Sequence, residues 1–210
     1  HEAGHSMHSM YSKKNNPYQD YKYSIFVAEV ASTFNEELLF QHLMKNTTDE
    51  NFKTYMINKK IDDIMSTIIR QTMFAEFEKL THAAEEKGDA LTLDSMRAIY
   101  KSLFEKYFCG VVQATDVNDL EFLRIPHFYN AFYVYKYATG LSAAMSLAMG
   151  VLKQPEKNLN PYMQFLSSGG SKFPIDQLEL AGVKMQGGEA VKKALSQFSV
   201  LVDELEFRLN

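Results

Sequence analysis

Tryptophan is absent from this chain, and cysteine occurs once, as Cys109. A single thiol excludes an internal disulfide framework and fits a reducing compartment, so a cytoplasmic location is expected. Positive charge is not in excess. Lys and Arg number 22 against 26 Asp and Glu, giving a net charge of −4 and a pI near 5.9. That balance argues against nucleic acid or an anionic membrane as partner. No apolar run reaches the ~18 residues a membrane span needs, and the longest, near Leu141 to Leu152, falls short. No signal peptide, internal repeat or convincing strand alternation is visible.

What is present begins at the first residue. His1-Glu2-Ala3-Gly4-His5 reads H-E-x-x-H. On a helix this sets two imidazoles one turn apart on one face, about 6 Å along the axis, so both reach one Zn²⁺. Glu2, beside the first ligand, is placed to take a proton from a water at the metal's open position. The motif needs a third ligand downstream. Glu29 and Glu36 lie seven positions apart in a run of small and apolar residues, on one helix face. An acid in such a run is costly unless it is paired or bound to metal, and Glu29 is the expected third ligand. Two histidines and a carboxylate leave one position free, which is the catalytic arrangement. Glu36 is expected to accept from the spare ring nitrogen of His1 or His5. His8 shares their face but lies roughly 10 Å from His1 along the axis. It is expected behind the ligands or in packing. A chain that opens on a candidate metal ligand reads as a fragment of a longer protein.

The remainder reads as helices: about 23–45; a long one over about 49–86; 92–108; a Tyr-rich segment running into 138–152; 161–166; a short one from Pro174; and a last one through Val191 and Leu205. Residues 110–128 and 154–160 read as loop and turn. Ser167 to Lys172 reads as a helix cap and flexible loop. Cys109 is expected in the core, and Glu78, His82 and Glu86 as a surface charge cluster. Tyr129, Tyr133 and Tyr137 form a stripe at i, i+4, i+8 if that segment is helical.

H-E-A-G-H followed by E-V-A-S-T-F-N-E resembles the thimet-type metallopeptidases, and among them the oligoendopeptidase F family. Arg124 to Gly140 and Phe165 to Pro174 are similar to the same family, so the likeness runs from His1 to about Met185. The resemblance implies an all-α helical bundle, the zincin-like catalytic half of a larger metallopeptidase, with residues 1–210 as its C-terminal zinc domain. It implies Glu29 as the third zinc ligand and an oligopeptide substrate cleaved at internal bonds. It also implies an N-terminal part of the same protein that packs against this half and walls the substrate channel. A loop His and tyrosines beyond it contact substrate and oxyanion in that family. The His falls on His127, and Tyr129 and Tyr133 match by spacing, whereas the family's last Tyr falls on Lys136. Two rivals remain: a non-catalytic metal-binding helical fragment that functions only packed on its missing part, and a zinc peptidase of another clan with its third ligand elsewhere.

Overall fold

A computed structural model describes residues 1–112, 115 and 117–210; the expected 110–128 loop therefore lies partly outside the described residues. Among the described residues the regular structure is helical, with no strand, as expected. The α-helices are α1 (Glu2–Asn15), α2 (Ile25–Asn46), α3 (Glu50–Ile64), α4 (Arg70–Lys87), α5 (Leu93–Phe108), α6 (Tyr135–Lys153), α7 (Pro155–Ser167), α8 (Pro174–Leu180) and α9 (Glu189–Leu209). They form two compact units, one of His1–Ile64 with Thr139–Asn210 and one of Met65–Ala138.

In the first unit, α1 packs on α2 and α7, and α3 packs on α9. Its core is built from Val27, Val30, Ala31 and Phe34 of α2, the small residues Ala143, Ala144 and Ala148 of α6, and Tyr162, Phe165 and Leu166 of α7. Small residues let helix backbones approach, and the aromatics fill what remains. Within this core Lys60 Nζ lies 2.5 Å from Glu37 Oε2, both side chains buried. Gln41 and Gln197 donate to the other Glu37 oxygen. A buried pair of this kind is tolerated because every charge has a partner.

His8 is fully buried in the same unit, stacked on Tyr23 with ring centroids 3.6 Å apart. Neither ring nitrogen has a hydrogen-bond partner among the described residues. Burial, reinforced by the nearby His5, pulls its pKa from 6.5 down to about 4. The unfolded chain therefore takes up a proton at His8 below pH 6.5, while the folded one resists until about pH 4. Stability from the neutral ring is present above 6.5 and is lost as pH falls towards 4, by about 3 kcal/mol in all. Thermal melts of metal-free protein between pH 7 and 4 are expected to show this slope. His8→Phe, which keeps the stack on Tyr23, is expected to flatten it, and an equally steep slope in that variant counts against the assignment.

The second unit packs α4 on α5 around Met73, Phe74, Phe77, Tyr100, Leu103 and Phe104. The 3-10 segment Asn118–Arg124 is fixed to it by Glu121, whose buried carboxylate contacts Arg70, Arg124 and the Tyr100 hydroxyl.

Several expectations are corrected here. The long helix of 49–86 is present, with Asp49 accepting from the Asn51 and Phe52 amides at its start, but a π-helical turn at Met65–Ile69 interrupts it. The 154–160 turn is helical: Pro155 opens α7, where a missing N–H costs nothing. The Ser167–Lys172 loop is pinned. The Gly170 amide donates to the Asp20 carbonyl at 2.7 Å, and Gln177 donates to the Gly169 and Lys172 carbonyls. A Cβ on Gly170 would meet the Lys22 carbonyl at 2.4 Å, so backbone runs against backbone here. Cys109 is exposed, in the left-handed conformation that ends α5.

Candidate active site

His1 precedes the first turn of α1, and His5 stands one turn on. Gly4 lies between them and faces α2: a Cβ there would sit 2.4 Å from the Ala31 carbonyl oxygen and 2.5 Å from Ser32 Cα. That close crossing brings Glu29 of α2 under both rings. His1 Nε2 and His5 Nε2 are 3.2 Å apart, and Glu29 Oε2 lies 3.4 Å from the first and 3.5 Å from the second. Among the described residues these three form the cluster able to hold a metal ion.

The triangle has the dimensions of a zinc site. Ligand bonds of ~2.0–2.1 Å in tetrahedral geometry put neighbouring ligand atoms about 3.3 Å apart. Two ring nitrogens and a carboxylate oxygen converging on one point also form a donor set in need of a cation. The residues present therefore fit Zn²⁺. The side chains are about a quarter to two-fifths exposed, so the face away from the helices is open to a further ligand.

Two residues hold the set. Glu36, seven positions along α2 from Glu29 on the same face, lies 2.9 Å from His1 Nδ1. A proton on Nδ1 donated to Glu36 leaves Nε2 free to bind metal. Ser32, fully buried, donates to Glu29 Oε2 at 2.9 Å and to the Glu29 carbonyl at 3.0 Å. Sequence reasoning missed Ser32; its i, i+3 spacing from the acid was the available signal. Glu2 is exposed, with no ion pair or hydrogen bond among the described residues. His8 is turned into the core and is not part of the triangle.

In the second unit the Tyr stripe is not helical. Tyr129 ends the 3-10 turn Pro126–Tyr129, Tyr133 lies outside helix, and α6 begins only at Tyr135. The break falls at Phe132, in the left-handed region at φ 55°. The His127, Tyr133 and Tyr137 rings nevertheless meet, with centroids 5.6 to 5.9 Å apart. Tyr129 is 88% exposed and stands outside this group.

The model of peptidase family M3 matches residues 1–197. The chain belongs to peptidase family M3. This M3 chain is 43% identical over 206 residues to an oligoendopeptidase F homolog of Borreliella burgdorferi, covering 98% of the chain and 35% of that relative. It is 45% identical over 207 residues to oligopeptidase PepF of Bacillus subtilis, covering 98% of the chain and 31% of the relative. The crystal structure of oligoendopeptidase-F from Enterococcus faecium superposes with a TM-score of 0.89 at 36% identity, over 99% of this chain and 38% of that one. The M3 chain thus spans about a third of the length of the curated relatives it matches. No helix among its described residues is long and apolar enough to cross a membrane.

Proposed function

We propose that this chain is the zinc-binding catalytic part of an endopeptidase that hydrolyses internal bonds of oligopeptides. The observation that carries the reading is the triangle of His1, His5 and Glu29, with edges of 3.2 to 3.5 Å, inside a chain of family M3. His1, His5 and Glu29 would hold Zn²⁺, and Glu36 would keep His1 in the metal-binding tautomer. A zinc ion held there polarises the scissile carbonyl and acidifies water. Glu2 accepts the proton of the attacking water and passes it to the leaving amine. His127 and Tyr133 donate hydrogen bonds to the oxyanion. Tyr129 is a further hydroxyl for the substrate or the oxyanion. Retention of Glu2 beside the ligands favours this over a metal-binding fragment without catalysis.

The relatives are about three times as long, which supports a further, N-terminal part of the same protein as partner to residues 1–210. The isolated chain is then weak or inactive. The single cysteine suits a cytoplasmic enzyme. Full-length protein treated with a chelator is expected to stop cleaving an internally quenched oligopeptide, and one equivalent of zinc to restore cleavage. Turnover that survives complete removal of metal would end this reading.

A further inference from the structure

The segment carrying His127 and Tyr133 is bent by one residue, Phe132. An aromatic side chain in the left-handed region crowds its own carbonyl, so the conformation persists only where the surroundings impose it. The surroundings here are two side chains one turn apart on α4. Glu78, 3% exposed, accepts the Phe132 amide N–H, and the His82 ring lies 4.7 Å from the Phe132 ring. Glu78 has no ion pair among the described residues, and a buried carboxylate without a cation is a costly residue to keep for packing alone. A hollow of about 350 Å³ lies against Glu78, His82, Phe128 and Tyr129, so these side chains are not closely packed on that side. Immediately after the bend come Tyr133, whose ring meets His127, and Val134, which is buried.

We propose that Glu78 is a positioning residue: by accepting the Phe132 N–H it sets the bend that holds His127 and Tyr133 in their shared arrangement. The proposal rests on the reading of those two residues as oxyanion donors. What matters under it is the reach of an acceptor oxygen, not charge. Glu78→Gln keeps the oxygen and loses the charge; Glu78→Asp keeps the charge and withdraws the oxygen by one methylene.

In full-length protein with zinc, Glu78→Asp and Glu78→Ala are expected to lower kcat for an internally quenched oligopeptide roughly 10- to 100-fold, since small displacements of catalytic groups cost that much. KM and zinc affinity should stay near wild type. Glu78→Gln is expected to keep kcat within about threefold of wild type. If Glu78→Ala does not fold, the Asp and Gln pair decides alone. Equal losses in Asp and Gln, or wild-type kcat in folded Asp, would overturn the proposal. Tyr133→Phe is measured beside them. A low kcat there with a normal Glu78→Asp rejects Glu78 only, whereas a wild-type kcat in Tyr133→Phe rejects the oxyanion reading and this proposal with it.

Discussion

Glu2→Gln is expected to lower kcat for oligopeptide cleavage by roughly 10²- to 10⁴-fold, the range of general acid–base catalysis, and to leave zinc affinity almost unchanged. Glutamine has the same shape and cannot accept the proton. Glu2 is exposed in the first turn of α1 and makes no hydrogen bond or ion pair among the described residues. The exchange therefore disturbs nothing structural, and the loss falls on chemistry. Zinc titration against a competing chromophoric chelator, beside steady-state kinetics, separates the two effects. A Glu2→Gln enzyme that turns over normally has its base elsewhere; one that loses zinc has Glu2 as a ligand.

Gly4→Ala is expected to weaken zinc binding by roughly 100-fold, the upper range seen when residues supporting metal ligands are lost. It is also expected to lower the melting temperature. Ala ordinarily stabilises a helix interior relative to Gly by about 0.5–1 kcal/mol, so the expected sign is reversed at this position. The reason is contact. The new Cβ would meet Ala31 O at 2.4 Å, Ser32 Cα at 2.5 Å and Ala31 C at 2.7 Å, all parts of the α2 main chain. Main chain cannot rotate aside, so α1 must move away from α2. His1 and His5 ride on α1 and Glu29 on α2, so the 3.4 and 3.5 Å separations open together. Native zinc affinity in a folded Gly4→Ala protein would show that the crossing does not set the triangle.

The contrast between these two residues shows what a sequence makes legible. Glu2 is proposed as the base from spacing alone, because H-E-x-x-H is a statement about one helix and one helix has a fixed rise and twist. Glu29 and Glu36 were legible for the same reason: seven residues apart, they face one way, and both reach the His1 ring. Glu78, read as a surface charge, is buried against Phe132, 54 positions away. Cys109, read as core, is an exposed helix end. The Tyr stripe assumed an unbroken helix, and the left-handed Phe132 breaks it. Nothing near residue 132 announces that bend, because its acceptor comes from another helix.

The sequence by itself determined the helical class, most helix spans, the pair of imidazoles and the acid that meets them. These follow from short-range periodicity, since residues three, four and seven apart share a helix face whatever lies beyond. Only the tertiary structure decided how closely α1 and α2 cross at Gly4, that His8 stacks on Tyr23, and that Glu78 reaches Phe132. Each of these is a contact between distant segments. Its geometry is set by which backbones can touch and which buried polar groups must find partners, and neither is encoded in local spacing.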